Sequence, residues 1–347
     1  MTGKTIQFYA QVGDESLLEQ TSYYKFDIEV LREIADEHDC ELRIGTSPKD
    51  LLSSADLYFA WWGTTGITPV IRSKLAQSPS IVVAGGSEVV SSLPEDLPIM
   101  YSSKPLWQKL VIRTCVNAAS VTITPSQHMA EEARSLGVND PKVVPNCIDT
   151  SVYTPKEPDP AYLPYEPDEY YLTIAKYAPS SLSRKELFTL LDGLKQVDTD
   201  LPLVFAGGLV SEEVYDRVTG YAEQIGVSDR VTFLTDISKR QKIELLRGAR
   251  LYLQPTLHEA FGVALTEAMA CETPVVSTRR GAVPEVVDDT GYFAAVGDST
   301  DLASTIGTAS VDPERTEKAV AARERVVEKF SLSVRKEELS KLVTTYL

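Results

Sequence analysis

Two glutamates in the second half of the chain have the spacing that most strongly suggests chemistry. Glu259 follows a short apolar run that ends at Pro255, and Glu267 lies eight residues later in a helix predicted to begin near Gly262. At a rise of 1.5 Å per residue, the two carboxylates are at most ~12 Å apart along the helix axis. A carboxylate accepts paired hydrogen bonds from neighbouring hydroxyls, so one glutamate can hold a sugar while the other holds a ribose.

The start of the same helix offers a place for an anion between the two glutamates. N–H groups in the first turn of a helix have no partner within it, and the helix dipole favours negative charge there. Because Gly262 lets a ligand approach the backbone closely, the N–H groups near Phe261, Gly262 and Val263 are predicted to receive a phosphate. Alternatively, Glu259 only complements the helix dipole and Glu267 is solvated. The spacing by itself leaves both interpretations open.

The hydrophobic pattern predicts the scaffold that must position these residues. Short apolar runs alternate with segments of helical period along the whole chain, which is typical of β-α-β units and a parallel sheet. In the first half, strands are predicted at residues 5–9, 41–44, 56–60, 80–84, 121–124 and 142–144, and helices at 24–37, 104–119 and 127–136. In the second half, strands are predicted at 170–175, 203–206, 230–234, 250–254 and 274–277, and helices at 185–196, 212–225, 239–247, 261–271, 301–309, 313–330 and 333–346.

Residues 153–168 interrupt this alternation. Their five prolines cannot donate the backbone N–H groups that helices and sheets require, so the stretch is predicted to be an extended linker. The sequence therefore predicts an α/β protein of two doubly wound, Rossmann-like domains, residues 1–152 and 169–330. Sheets of this kind bind ligands at the carboxyl ends of their strands, so two such domains face to face are expected to form a cleft.

Composition narrows the class of function. The 347 residues fit two domains of about 150 residues each. Lys and Arg total 34 against 50 Asp and Glu, and the net charge of −16 argues against binding to nucleic acid. The four cysteines lie far apart without a CxxC pair or a histidine cluster, which predicts reduced, mostly buried thiols rather than disulfides or a zinc site. No apolar run of membrane-spanning length and no secretory signal are recognisable, so we expect a cytoplasmic protein.

The string around the two glutamates resembles that of a known family. Glu259-Ala-Phe-Gly, Glu267-Ala-Met-Ala and Pro274-Val-Val are similar to the nucleotide-recognition motif of the retaining GT-B glycosyltransferases of family 4, the glycosyl transferases group 1. The resemblance continues through Ala206-Gly207-Gly208, Val231-Thr-Phe-Leu and Gly281-Ala-Val-Pro-Glu. Val327-Glu-Lys-Phe-Ser resembles the start of the family's last helix, which implies that residues from about 331 to 347 return to the first domain. The resemblance covers residues from about 120 to 347. The remainder matches the family only in its alternation of predicted strands and helices.

The resemblance implies a GT-B fold and a reaction. A sugar, in a transfer of the hexosyltransferase class, would move with retention from a nucleoside diphosphate-sugar to a hydroxyl acceptor, which is a glycan, a lipid-linked glycan or a small molecule. The resemblance implies that Glu267 binds the ribose and Glu259 the donor sugar. It also implies that Lys176 and Lys185 neutralise the departing diphosphate, with Arg184 as an alternative to Lys185.

Further donor-side candidates follow from the same resemblance. Gly207 and Gly208 form a turn after one strand, and Leu234 lies in the strand that would face the base. His258 is beside Glu259 and can contact the donor, although a loop histidine is more often merely exposed. No cofactor is implied, and no divalent ion is required where cations and dipoles replace an Asp-x-Asp metal site. A dehydrogenase is not indicated, because no GxGxxG follows the first strand.

The first domain contains candidates for the acceptor side. Gly13 follows the first strand, Trp62 belongs to the run Trp61-Trp62-Gly63, and Gly86 and Glu88 follow a further strand. Adjacent tryptophans at a strand end suggest a stacking surface for a sugar ring, although core packing explains one of them equally well. Glu88 is a candidate for a carboxylate in the cleft.

Residues 104–113 leave contact with a membrane open. Lys109 and Arg113 lie four residues apart with Trp107 and Leu110 nearby, as in an interfacial helix that reaches a lipid-linked acceptor at the inner face of an anionic membrane. A half-buried domain helix with two exposed cations explains the segment as well. Two other functions also remain compatible with the sequence: a nucleotide-sugar-binding subunit without turnover, and another GT-B enzyme such as a sugar-nucleotide epimerase.

Overall fold

The chain divides into two compact units. The computed structural model describes residues 3–93 and 100–347. Unit 1 consists of Met1–Cys147 together with Leu332–Leu347, and unit 2 of Ile148–Ser331. Each unit contains one six-stranded sheet in which all neighbouring strands are parallel.

In the described part of Met1–Cys147, five helices flank the six-stranded sheet of unit 1. The strands are β1 (Thr5–Tyr9), β2 (Glu41–Gly45), β3 (Leu57–Trp61), β4 (Ser80–Val83), β5 (Val121–Thr124) and β6 (Lys142–Val143). The helices are α1 (Ser16–Gln20), α2 (Ser22–Glu37), α3 (Ile67–Ala76), α4 (Leu106–Ala118) and α5 (Gln127–Ser135). The strand order is β2-β1-β3-β4-β5-β6, so the direction of winding reverses between β1 and β3.

Unit 2 repeats this architecture with a different strand order. The strands are β7 (Tyr171–Ile174), β8 (Leu203–Gly207), β9 (Val231–Thr235), β10 (Leu251–Gln254), β11 (Val275–Thr278) and β12 (Tyr292–Ala294). The helices are α6 (Pro179–Arg184), α7 (Leu187–Gln196), α8 (Glu212–Ile225), α9 (Lys239–Gly248), α10 (Val263–Ala270), α11 (Val283–Val287), α12 (Ser299–Val311) and α13 (Arg315–Phe330). The order β12-β11-β10-β7-β8-β9 places the reversal of winding between β7 and β10.

The apolar strands of unit 2 are buried on both faces. Successive side chains of a strand point to opposite faces of the sheet. Leu172 accordingly packs in a cluster with residues of α10 and α13, whereas its neighbour Tyr171 packs in a second cluster with residues of α7, α8 and α12. Helices cover both faces, which is why the strands have continuous apolar sequences rather than alternating ones.

The last helix, α14 (Leu332–Tyr346), belongs to unit 1. Its Arg335 is 2% exposed and forms an ion pair of 2.6 Å with Asp27 of α2. Asp27 also accepts a hydrogen bond of 3.0 Å from the indole N–H of Trp61. Leu339 and Val343 of α14 are fully buried in the core of unit 1. The chain therefore returns to its first unit through a buried charged pair and an apolar helix face.

The main differences from the sequence prediction lie in short elements. The strand β12 and the helices α1, α3 and α6 were not predicted. Of these, β12, α1 and α6 are three to six residues long, and segments of this length carry little periodic signal. The proline-rich residues 153–168 are not a free linker. They lie in unit 2, with a short turn at Pro160–Tyr162 and with Leu163 and Tyr165 packed on its core. The prolines prevent regular secondary structure in this stretch, but Leu163 and Tyr165 between them still pack against the core of unit 2.

The apolar content of the helices and the state of the cysteines bear on two further expectations. Within residues 3–93 and 100–347, no helix has both the length and the apolar content needed to cross a bilayer. The four cysteines are free thiols, and Cys115, Cys147 and Cys271 are buried, as predicted, while Cys40 is half-buried.

Candidate active site

A chain of hydrogen bonds joins polar side chains at the point where the winding of unit 2 reverses. The Lys185 ammonium donates to the carbonyl of Ile174, the last residue of β7, at 3.1 Å. It also donates to Oε1 of Gln254, the last residue of β10, at 3.0 Å. The Gln254 amide in turn donates to Glu259 at 3.0 Å. Open parallel sheets bind ligands just beyond the carboxyl ends of the strands at such a reversal. The hydrogen-bonded side chains of Lys185, Gln254 and Glu259 therefore lie where a ligand is expected.

Glu259 is held as an ionised acceptor. Its Oε1 lies 2.7 Å from the guanidinium of Arg184. Burial raises the pKa of Glu259, but the positive charges of Arg184 and Lys185 outweigh burial and bring its pKa below the ordinary value. Both cations that the sequence left as alternatives therefore lie beside this carboxylate.

Lys185 is a half-buried cation. Burial lowers its pKa to about 8, although the negative charge of Glu259 opposes the shift. The group is thus protonated at neutral pH and close to its titration range. A negatively charged ligand next to it would favour the protonated form.

The backbone around Glu259 is fixed by a glycine from another loop. Gly281 has φ +57°, and a Cβ on it would lie 2.3 Å from the carbonyl oxygen of Glu259. The next residue, Ala282, donates its N–H to that oxygen at 2.8 Å. On the other side, the N–H of Leu257 donates to the carbonyl of Arg184 at 2.8 Å. A side chain at position 281 has no space, so this glycine sets the position of the carboxylate.

The helix that follows begins at a left-handed glycine. Gly262 has φ +99° and precedes the first residue of α10, Val263. Glu267 lies one turn further along the same helix face as Val263, because residues four apart share a face. Glu267 is only 6% exposed, and its Oε1 accepts from the ammonium of Lys242 on α9 at 2.6 Å. The solvated Glu267 considered in the sequence analysis is therefore wrong.

Part of the chain is similar in sequence to proteins of a known family. Residues 165–326 match the family described as glycosyl transferases group 1. Over 240 residues, the chain is 31% identical to the alpha-maltose-1-phosphate synthase of Mycolicibacterium smegmatis, covering 64% of this chain and 62% of that protein. It is 30% identical to the D-inositol 3-phosphate glycosyltransferase of the same species over 199 residues, which are 56% of this chain and 42% of that protein. The matched region is thus less than two thirds of the length of either relative.

The fold has close counterparts among solved structures. The crystal structure of Anabaena HepE in complex with UDP and glucose superposes with a TM-score of 0.78 at 18% identity, over 99% of this chain and 100% of that chain. Residues 165–326 are a group 1 glycosyl transferase domain. The two parallel six-stranded sheets give the chain as a whole the GT-B fold, as predicted.

Three predicted donor-side residues of the group 1 domain have structural explanations of their own. A Cβ on Gly207 would lie 1.8 Å from the carbonyl oxygen of Ala175, so this glycine permits the close approach of β8 to the end of β7. Phe261 is 2% exposed and contacts the ring of Phe330 edge to face, at a centroid distance of 5.2 Å. Leu234 is half-buried and packs against the same core. Close backbone approach accounts for Gly207, and side-chain packing accounts for Phe261 and Leu234, without a ligand.

The other predicted residues of the group 1 domain differ in exposure. Lys176 is exposed just after β7, and its ammonium has no ion-pair partner among the residues that the structure describes. Gly208 is half-buried, and no atom lies within 4 Å of a Cβ placed on it. His258 is 3% exposed, so the expectation of a merely exposed loop histidine is wrong.

Sequence reasoning missed two polar residues of the group 1 domain. Gln254 bridges Lys185 and Glu259, and its signal was a polar residue at the end of the otherwise apolar run of β10. Lys242 pairs with Glu267 from α9 and lies 5.3 Å from the ring centre of Tyr153. Nothing in the local sequence of α9 distinguishes Lys242 from its basic neighbours. Gly281 was quoted as part of a motif but not as a site residue.

The acceptor-side candidates of this GT-B chain lie after the strands of unit 1. Trp62 follows β3 and is half-buried, whereas Trp61 is 1% exposed in the core, so core packing accounts for one of the two. Gly86 and Glu88 follow β4, with Glu88 only 6% exposed. Gly13 is exposed in the loop after β1, and no atom lies within 4 Å of a Cβ placed on it.

Within the described parts of the chain, no three His, Cys, Asp or Glu side chains converge as they would to hold a metal ion.

Proposed function

We propose that the chain is a retaining glycosyltransferase that moves a hexosyl unit from a nucleoside diphosphate-sugar to a hydroxyl acceptor. One observation carries the proposal. The cations Arg184 and Lys185 converge on the carboxylate of Glu259 at the reversal of winding of unit 2, four residues before a helix N-terminus. Positive charge, a hydroxyl-binding carboxylate and the N–H groups of a first helical turn together match the chemical groups of a sugar diphosphate.

Each part of the donor has an assigned partner in this proposal. Glu259 binds hydroxyls of the donor sugar, and Glu267 binds those of the ribose. The N–H groups near Phe261, Gly262 and Val263 bind the diphosphate. The cations that neutralise its charge are Lys185, Arg184 and Lys176. Gly207, Gly208, Leu234 and His258 border the donor.

The reaction follows from charge development. The bond between the anomeric carbon and the diphosphate oxygen breaks, and the oxygen keeps the electron pair. The acceptor oxygen forms the new bond on the same face of the sugar, and its proton passes to the departing diphosphate. Fixed cations and helix N–H groups stabilise the negative charge where it accumulates, so no divalent ion is needed.

Donor binding exchanges partners within the site. Arg184 is paired with Glu259 and Lys242 with Glu267 in the structure. A bound sugar and ribose therefore share these carboxylates with the two cations, and the cations become available to the phosphates. Solved structures of Anabaena HepE contain UDP or UDP-glucose, which makes uridine nucleotides the first probes.

A donor panel followed by a transfer assay tests the proposal. UDP-, ADP- and GDP-sugars are screened by thermal shift, because a ligand that binds only the native state raises the apparent Tm. Nucleotide release is then measured with hydroxylated acceptors, with and without EDTA, and the anomeric configuration of the product is read by NMR. Retention and insensitivity to EDTA are expected. Inversion, or loss of transfer on chelation, would contradict the mechanism.

The same assay separates the alternatives, and matched variants test the site. Donor binding without nucleotide release indicates a binding subunit, and product formation without acceptor indicates an epimerase. Glu267→Gln and Glu259→Gln are compared with Glu223→Gln, a change on α8 outside the site. We expect the first two to raise donor KM or lower kcat by at least about tenfold, since each loses a charge-assisted hydrogen bond.

A further part of the proposal concerns the acceptor and its location. The first turns of α4 expose Leu106, Trp107 and Leu110, which are 84%, 65% and 66% exposed. Lys109 and Arg113 lie on the same helix. We propose that this surface contacts anionic headgroups at the inner face of a membrane and gives access to a lipid-linked acceptor, because apolar and basic residues on one helix favour an interfacial position.

A further inference from the structure

Tyr153, the first residue of the proline-rich segment, is buried against the helix that carries Glu267. It is 5% exposed and packs in the apolar cluster that contains Leu265 and Met269 of α10. Its hydroxyl donates a hydrogen bond to the carboxylate of Glu267. Burial, and next the negative charge of Glu267, raise the pKa of Tyr153 above its ordinary value. The hydroxyl therefore stays protonated, and able to donate, near neutral pH.

The backbone of Tyr153 is tied to α10 by an arginine of α13. The guanidinium of Arg323 donates to the carbonyl of Tyr153 at 3.2 Å and also to the carbonyl of Ala270, the last residue of α10. The N–H of Tyr153 donates to the carbonyl of Asp149 at 2.9 Å. Both backbone groups of Tyr153 are therefore held, which fixes its side chain relative to Glu267.

The ring of Tyr153 also contacts the cation that pairs with Glu267. The ammonium of Lys242 lies 5.3 Å from the ring centre and 2.6 Å from Oε1 of Glu267. A cation over an aromatic face is attracted to that face. The hydroxyl and the face of one ring thus act on the two members of one ion pair.

The carboxylate of Glu267 keeps part of its capacity to accept hydrogen bonds. Its two oxygens offer about four lone-pair positions. Lys242 and Tyr153 use two of these among the residues that the structure describes, so about two remain. Two is also the number of neighbouring hydroxyls on an unmodified ribose, and the two fixed donors decide which acceptor positions stay open.

We propose that Tyr153 is a positioning residue of the ribose site and makes that site selective for nucleotides that carry both ribose hydroxyls. Its hydroxyl fixes the rotation of the Glu267 carboxylate, whose open positions then receive the 2′- and 3′-hydroxyls together. Tyr153 acts through Glu267 and does not itself contact the nucleotide. The inference rests on the proposed transferase function, in which Glu267 binds the ribose.

Calorimetry with matched pairs of nucleotides tests the proposal. UDP, ADP and GDP are compared with their 2′,3′-dideoxy analogues, which keep the diphosphate and lack both hydroxyls. The wild type is expected to bind the ribonucleotide at least about tenfold more tightly than its analogue. Tyr153→Phe keeps the ring and removes the hydroxyl. It is expected to lower this ratio by about three- to tenfold and to leave the Kd of the dideoxy analogue within about twofold.

Two further variants separate positioning from general damage. Tyr170→Phe removes another buried hydroxyl of the same apolar cluster, which donates to the carbonyl of Leu245 at 2.7 Å. Its ratio is expected to stay that of the wild type, whatever its Tm. Arg323→Met releases the backbone of Tyr153 from α10 but keeps the hydroxyl, and it is expected to lower the ratio by at least about twofold. This variant provides the result if Tyr153→Phe does not fold.

Each failure has a different meaning. If Tyr153→Phe weakens binding of both nucleotides equally, its role is purely structural, and the inference is overturned while the proposed function stands. A wild type that binds a nucleotide and its dideoxy analogue equally would overturn the inference together with the ribose role of Glu267. A wild type that binds none of the three nucleotides would instead overturn the proposed function, and the inference with it. Melting curves show which variants are folded at the assay temperature.

Discussion

At the scale of single residues, the pKa of Lys185 makes donor binding dependent on pH. Its pKa of about 8 means that the ammonium loses its charge as pH rises through that value. Affinity for UDP is therefore expected to fall between about pH 7 and about pH 9, by up to tenfold for one lost charge contact. Isothermal calorimetry with UDP across this range measures the effect.

Two variants control the Lys185 prediction. Lys185→Met removes the titrating group and is expected to bind weakly at every pH. Lys185→Arg keeps a charge that does not titrate in this range, so its affinity for UDP is expected to stay nearly constant between pH 7 and pH 9. A wild-type profile that stays flat to pH 9 would show that the ammonium does not reach the diphosphate.

At the scale of elements, the loop that carries Glu259 depends on Gly281. Alanine at this position has to adopt a left-handed backbone and clashes with the backbone of Glu259, 2.3 Å from the added Cβ. We expect Gly281→Ala to cost at least about 1–2 kcal/mol of stability and to weaken UDP-sugar binding. Chemical denaturation and calorimetry measure the two effects.

Gly220 is the matched control for Gly281. It lies within α8, and no atom lies within 4 Å of a Cβ placed on it. Alanine is a better helix former than glycine, so Gly220→Ala is expected to stabilise the protein by about 0.5–1 kcal/mol with unchanged donor binding. Equal effects of both changes would mean that the loop does not need its glycine.

The exposed start of α4 gives a second prediction at this scale. Trp107→Ala combined with Leu110→Ala is expected to abolish co-sedimentation with vesicles of phosphatidylcholine and phosphatidylglycerol, because both apolar anchors are lost. Wild-type protein is expected to bind these vesicles and not pure phosphatidylcholine, given Lys109 and Arg113. Leu75→Ala on α3, which removes a side chain 73% exposed, is the control. No sedimentation of the wild type would exclude the membrane proposal.

At the scale of the whole molecule, the return of the chain to unit 1 rests on the buried pair of Arg335 and Asp27. Arg335→Met leaves the Asp27 carboxylate buried without its cation, which costs about 3–5 kcal/mol. Adding Asp27→Asn is expected to recover part of this loss. Lys336→Met, which breaks an exposed pair between α14 and Glu33 of α2, is expected to change little.

Differential scanning calorimetry with UDP tests the Arg335 prediction. The proposed donor residues all lie in unit 2, so UDP is expected to stabilise the Arg335→Met protein and the wild type alike. Loss of the UDP effect in this variant, together with an unchanged Tm without ligand, would contradict the division of roles between the units.

The amino-acid sequence by itself determined most of the strands and longer helices, and it singled out Glu259 and Glu267. Apolar runs of four to five residues such as β8 and β10 predict buried parallel strands, since only a sheet covered on both faces buries every side chain. The Glu259 and Glu267 motif was visible because its residues lie within one short segment. These signals are local, and local periodicity and spacing can be read from a sequence.

Only the tertiary structure decided which groups meet. Lys185 and Gln254 are 69 residues apart in the chain, Lys242 reaches Glu267 from another helix, and Arg335 finds Asp27 across 308 residues. The left-handed φ of Trp62 likewise depends on Val83 and Gly66, not on its own residue type. The order of the strands and the packing of the helices bring these residues into contact. The free energy of each contact depends on both partners, and a local sequence pattern does not show which distant residue the partner is.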